Sequence, residues 1–146
     1  MPAPRVLRRT RMTAQQRALL DLLHRSDRFR GAQRLYDDLR HVQGVRIGLV
    51  TVYRILGLFT DKKITETQRA EDGEMLYRLR TTSQHRHYLL CRRCGRAIGF
   101  TADEIEEFTS QLAQKHRYTD VTHQIDFYGT CPLCFESSAG AAGPRG

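Results

Sequence analysis

Two Cys-x-x-Cys pairs, Cys91-Arg92-Arg93-Cys94 and Cys131-Pro132-Leu133-Cys134, constrain this chain more than any other feature, because they hold all of its cysteines. Two residues between sulfurs let both point at one ion from a single tight turn. Two such turns supply four thiolates, the tetrahedral set that zinc takes in structural sites. A thioredoxin-like redox motif needs no second matching pair. A disulfide framework belongs to secreted chains, and the N-terminus carries no apolar signal segment. Reduced, metal-binding cysteines point to the cytoplasm.

The 36 residues between the pairs exceed the span of a single zinc ribbon. They read as part of a small αβ unit whose two ends the ion would tie together. His85 to Leu90 reads as a strand, and Ala97 to Phe100 as another. Asp103 to Arg117 reads as an amphipathic helix, with acids in its first turn and Ile105, Phe108 and Leu112 facing inward. Val121 to Tyr128 alternates and predicts a third strand. From Ser137 the chain is rich in Ala, Gly and Ser, which predicts a disordered tail over residues 137–146.

The first half has a different character. Residues 1–84 hold 17 Lys and Arg against 9 acids, whereas residues 85–146 hold 7 against 7. The whole net charge of +8 therefore sits in the half without cysteines. Such asymmetry points to a polyanion as partner, namely double-stranded DNA. No apolar run approaches the length of a membrane span, and no basic helix carries a broad apolar face, so no membrane partner is expected.

Residues 1–12 form a basic arm with Arg5, Arg8, Arg9 and Arg11. Thr13-Ala14-Gln15-Gln16 has the form of a capping box and opens a helix of about three turns. Asp27 to Gly31 breaks the pattern. A second helix follows from Ala32 to Arg40, with Leu35, Tyr36 and Leu39 on one face. Gly44 and Gly48 bracket a turn. A third helix, Leu49 to Thr60, buries Leu49, Val52, Leu56 and Phe59 and exposes Thr51, Tyr53 and Arg54, a face suited to a major groove. Period-two alternation on either side of Glu71-Asp72-Gly73-Glu74 predicts a hairpin. Three helices followed by a hairpin describe a winged helix-turn-helix. The expected class is therefore α+β: a winged helix over residues 1–82, then a small αβ unit with a four-cysteine structural zinc site over residues 83–136.

A second cluster lies among the histidines. His85 and His87 are two apart on a strand and share a face. His123 falls on the apolar face of its strand, and Glu106 lies on the turn after the helix start. Spacing leaves two readings open: a nitrogen and oxygen metal site, or surface histidines beside one satisfied core histidine. Catalysis has no support. There is no phosphate loop, no Gly-x-Ser-x-Gly and no catalytic carboxylate pair, so neither an enzyme nor a small-molecule substrate is expected.

The stretch Gly48-Leu49-Val50-Thr51-Val52-Tyr53-Arg54-Ile55-Leu56 resembles the recognition helix of the ferric uptake regulator family. His85-Arg86-His87-Tyr88-Leu89-Leu90-Cys91-Arg92-Arg93-Cys94-Gly95 resembles its histidine-rich hinge and first cysteine pair, and Tyr128-Gly129-Thr130-Cys131 resembles the approach to the second. The resemblance covers residues 10–135. It implies a homodimeric, metal-dependent transcription factor binding an inverted repeat, with an αβ dimerisation domain after the winged helix. It implies DNA contacts from Tyr53 and Arg54, and also from Arg11 and Arg17. It places His85, His87, Glu106 and His123 in one regulatory metal site. The alternate hinge positions, where relatives place histidines of a further sensor site, are here Arg86 and Tyr88. Zinc-sensing relatives have an upstream cysteine where this chain has Leu79 or Arg80. Iron-sensing relatives have an earlier histidine near Phe29 and Arg30. Zinc is the expected effector, with iron or a peroxide-sensing variant as the alternative. A structural zinc adaptor without metal-dependent DNA binding is the alternative from another class.

Overall fold

A computed structural model describes residues 11–141. Most of the basic arm, and residues 142–146, lie outside the described residues. Helix α1 (Ala14–His24) starts where Thr13 closes its capping box. Gln16 N donates to Thr13 Oγ1 at 3.1 Å, and Thr13 N donates to Gln16 Oε1 at 2.9 Å. Helix α2 (Ala32–Asp37) does not stop at Arg40 but widens into a π-helical turn over Asp38–Val42. The chain then reverses at Gly44, whose φ of +64° favours glycine, and Val45 N closes onto Leu39 O at 2.9 Å. Helix α3 (Leu49–Asp61) follows.

Leu19, Leu23, Leu35, Leu39, Val52, Leu56 and Phe59 are fully buried where these helices meet. Burying each such side chain is worth about 2 kcal/mol, so this core supplies most of the driving force of the first half. The buried stripe of α3 gains Ile55, while Leu49 at the helix start is half-buried.

Strands β2 (Thr65–Arg69) and β3 (Met75–Leu79) form the wing, paired antiparallel from Thr65 opposite Leu79. The segment expected to be a plain break contributes a short strand, β1 (Arg30–Gly31), on the other edge of β3. The sheet order is β1-β3-β2.

The second sheet contains β4 (His87–Cys91), β5 (Ala97–Phe100) and β6 (Asp126–Gly129) in the order β5-β4-β6. Strand β6 runs parallel to β4, which requires a crossover, and β5 with helix α4 (Asp103–His116) provides it. One sheet face presents Tyr88 and Leu90, which pack against Phe29 and Leu76 of the first half. The opposite face aligns Leu89 with Ile98 and Phe127, all exposed.

Three expectations need correction. Residues 121–125 are not strand, because β4 begins only at His87 and its ladder to β6 starts at Asp126. Phe108 and Leu112 on α4 are 63% and 47% exposed rather than packed inward, since none of the described residues covers that stripe. The segment after Ser137 is not irregular from its start: helix α5 (Pro132–Ala141) runs through it. Pro132 suits a first helical turn. Ser137 Oγ and Ser138 Oγ donate to the carbonyls of Leu133 and Cys134 at 2.7 and 3.0 Å. Among the described residues, no helix is long and apolar enough to cross a membrane.

The turn after Cys94 grips the first half. Phe29 N donates to Gly95 O at 2.8 Å. Gly95 has φ +76°, and a Cβ there would lie 2.0 Å from Phe29 O. Gly95→Ala should therefore cost at least about 2 kcal/mol, from left-handed strain plus backbone collision. Thermal and urea unfolding would measure that loss.

Candidate metal centres

Cys91 ends β4, Cys94 closes the turn after it, Cys131 follows β6 and Cys134 lies in the first turn of α5. Parallel pairing sets Cys91 opposite Gly129 and so brings the two turns together. The four Sγ atoms lie within 4.8 Å of one another, and those of Cys94 and Cys131 are 3.7 Å apart. A tetrahedron of zinc–thiolate bonds of about 2.3 Å has sulfur–sulfur edges of about 3.8 Å. Burial works against ionising Cys91, but the amides of Cys131, Cys94 and Arg93 outweigh it and bring the thiol from 9.0 down to about 6. Cys134 is pushed up to about 12, first by its hydrogen bond with Cys131 and then by burial. One sulfur is thus readily a thiolate. Ionising the others places like charge beside it, and a divalent cation removes that penalty. The quartet fits a structural zinc ion.

The second cluster converges on one oxygen. Glu106 Oε1 lies 3.2 Å from His85 Nε2, 2.9 Å from His87 Nε2 and 3.0 Å from His123 Nε2. The His85 ring lies 4.7 Å from that of His87 and 5.2 Å from that of His123. His85 precedes β4 rather than lying in it, yet it stays on the same side as His87. His123 leaves the unpaired segment before β6 to reach the group, and Glu106 comes from the first turn of α4. A carboxylate oxygen has two lone pairs and cannot properly accept from three imidazoles, so a cation suits this set better than hydrogen bonds do. The His87 hydrogen bond holds the Glu106 carboxyl below its ordinary range; burial opposes this and His123 assists. Three nitrogens and one oxygen make a donor set that fits tetrahedral zinc. A cleft of about 280 Å³, lined by His85, Arg86, His87, His123 and Asp126, leads to it from solvent.

Helix α3 offers a third surface. Tyr53 and Arg54 are exposed, while Thr51 is half-buried. Arg11 and Arg17 are exposed at the start of α1. Gln15 Nε2 donates to Arg46 O at 2.9 Å, joining the first turn of α1 to the loop that feeds α3. Arg46 and Val50, both exposed, belong with this surface, although the sequence did not single them out. The available signal was position: Arg46 lies in the Gly44–Gly48 turn, and Val50 is three residues before Tyr53.

The family model described as "Ferric uptake regulator family" matches residues 8–128. The chain belongs to the ferric uptake regulator family. A zinc uptake regulation protein of Mycobacterium tuberculosis is 41% identical over 124 residues, which span 85% of this chain and 94% of that protein. The solved structure of the Vibrio cholerae ferric uptake regulator is 32% identical with a TM-score of 0.62, covering 83% of this chain and 92% of that one. A zinc uptake regulator solved in complex with zinc and DNA is 26% identical with a TM-score of 0.66, covering 90% and 88% of the two chains.

Within this family frame, the alternate hinge positions have a defined fate. Arg86 is exposed. Tyr88 is buried and turns to the wing, where its hydroxyl meets Glu66. Arginine and tyrosine thus stand where a histidine site would need imidazoles.

The lowered Cys91 pKa has a definite pH consequence. The fold favours the thiolate, so its stabilisation is complete above about 9 and is lost as pH falls through about 6. Retention of the ion at the cysteine site should therefore fall as pH drops through about 6, read as zinc release to a chromophoric chelator.

Proposed function

We propose that this chain is a zinc-responsive, DNA-binding transcriptional regulator of zinc homeostasis genes that acts as a homodimer in the cytoplasm. The observation that carries the reading is the convergence of His85, His87 and His123 on Glu106 Oε1. It lies where the segment leaving the wing enters the αβ unit. Residues 1–82 serve as the DNA-binding unit, and residues 83–136 as the metal-binding dimerisation unit.

When bound, a divalent ion supplies a fixed positive charge that holds the four donors together. His85 lies in the segment that leaves the wing and His87 opens β4, whereas Glu106 comes from α4 and His123 from the segment before β6. Joining them restrains the segment that leaves the wing against the second sheet. Linkage then requires that DNA and metal favour the same arrangement and raise each other's affinity by one factor. The cysteine quartet has a separate role, holding β4, β6 and α5 together as structural zinc.

The exposed apolar row of Leu89, Ile98 and Phe127, with Phe108 and Leu112 on α4, calls for a cover. A second copy of the chain supplies it. Two-fold symmetry then presents two copies of α3 to an inverted repeat. Thr51, Tyr53 and Arg54 read the major groove, and Arg11 and Arg17 contact the backbone or minor groove. Zinc is preferred over iron because three imidazoles and one carboxylate suit a tetrahedral ion. Iron is the second reading, since imidazole also serves iron.

Equilibrium DNA binding at buffered free zinc, iron and manganese, with the cysteine site loaded, should respond to zinc. A response to iron alone would overturn the zinc assignment. His87→Ala or His123→Ala should abolish the metal-dependent gain in DNA affinity while leaving the dimer folded. Arg54→Ala should weaken binding to the cognate site by about 1–3 kcal/mol. Arg17→Ala should instead reduce the slope of log affinity against log salt by about one.

A further inference from the structure

His87 and Tyr88 are consecutive on β4, so their side chains project from opposite faces of the sheet. His87 faces Glu106 and His123. Tyr88 faces the winged helix. Its hydroxyl lies 3.3 Å from each oxygen of Glu66 on β2, and its ring meets that of Phe29 edge-on at 5.6 Å. Arg78 of β3 completes the group. Its Nε donates to Glu66 Oε1 at 2.6 Å, and its Nη1 donates to the carbonyl of Asp27 at 3.3 Å. Its guanidinium lies 4.4 Å from the Phe29 ring centre and 4.9 Å from that of Tyr88.

This cluster differs from the other side-chain polar contacts between the two halves. Arg92 pairs with Glu71 at 2.9 Å, and Tyr128 Oη donates to Arg69 O at 2.7 Å, both in exposed positions. Gln68 bonds Asp126 without a charge of its own. Arg78, in contrast, is only 9% exposed and its partner Glu66 is largely enclosed. The Arg78–Glu66 pair lies within the wing, between β3 and β2, and holds in place the carboxylate that Tyr88 reaches across the boundary. The bond from Tyr88 to that fixed carboxylate, with Arg78 over the Tyr88 ring, sets an angle between β4 and the wing. Apolar contact alone would allow sliding.

We propose that Tyr88, with Glu66 and Arg78, is the positioning element that converts ligation at His87 into a fixed orientation of the winged helix. This deepens the metalloregulator reading and rests on it. None of the three residues belongs to the donor sets or the DNA-contact residues proposed above. Strand β4 transmits because one peptide bond joins the ligand to the residue that grips the wing.

Tyr88→Phe tests this by keeping the ring and deleting the hydroxyl. The full-length dimer, with its cysteine site loaded, should be measured for DNA affinity with and without zinc at the histidine site. Zinc affinity should be measured with and without DNA. In the variant, zinc affinity without DNA should stay within about twofold of the parent. DNA affinity of the zinc-loaded form should fall about tenfold, and the enhancement of zinc affinity by DNA should fall by the same factor. A merely structural role would lower the melting temperature and leave that reciprocal factor intact. Should Tyr88→Phe fail to fold as a dimer, Glu66→Asp provides the same comparison, because it keeps a charge for Arg78 while withdrawing the carboxylate from Tyr88, and the same loss is expected. An unchanged coupling factor in a folded variant overturns the proposal alone. Absence of any zinc-dependent DNA binding in the parent overturns the metalloregulator reading and the proposal with it.

Discussion

Mutual repulsion among four sulfurs within 4.8 Å of one another is the constraint on which the second half of the molecule depends. That half has little core of its own. Its buried side chains are His87, Tyr88, Leu90 and Cys91, all on one strand, and α4 has none. Apolar burial on this scale does not hold a unit together. A cation shared by the end of β4 and the start of α5 supplies what the core lacks, at turns that the parallel pairing of β4 and β6 brings together. The first half needs no such staple, because leucines from its helices close a core around Phe59.

The two halves meet along surfaces that the cysteine turn helps to shape. Gly95 follows Cys94 directly and lies against the backbone of Phe29, and Phe29 in turn packs on Tyr88. The path from the sulfur site to the base of the winged helix is therefore only a few residues long. The histidine cluster lies on the other side of the same strand. One strand thus separates a structural ion site, a candidate sensing site and the contact with the DNA-binding unit.

Much of this was legible in the sequence because local chemistry decides it. The capping box at Thr13, the stripe along α3 and the hairpin turn at Gly73 each depend on neighbours within a few positions. The cysteine quartet was legible for a different reason, since its spacing has few alternative uses. The sequence misled where the outcome depended on distant partners. Val121 to Ile125 alternates like a strand but finds no strand to pair with. Phe108 and Leu112 form a proper amphipathic stripe, but none of the described residues receives it. Residues after Ser137 look disordered by composition, yet the helix that opens at Pro132 and carries Cys134 runs on to Ala141. Arg78 gave no signal, because an arginine in a wing strand reads as surface until Glu66, Phe29 and Tyr88 are seen around it. The histidine quartet fell between these cases: spacing proposed it weakly, and only tertiary folding brings His123 and Glu106 to His87.

The uneven exposure of the histidine donors bears on how fast the centre can exchange its ion. The His85 side chain is 58% exposed, whereas that of His87 is 3% exposed. His85 also precedes the strand and so lacks a ladder to hold it. It can therefore swing away while His87, His123 and Glu106 stay in place, opening one vertex to water or to a small competing chelator. The cysteine centre has no comparable door, because Cys91 is buried and the other three sulfurs are half-enclosed in turns. The two centres of one chain thus differ in how open their donors are. An ion at the nitrogen and oxygen centre would exchange through the His85 vertex, whereas one at the sulfur centre would be shut in by the turns around it.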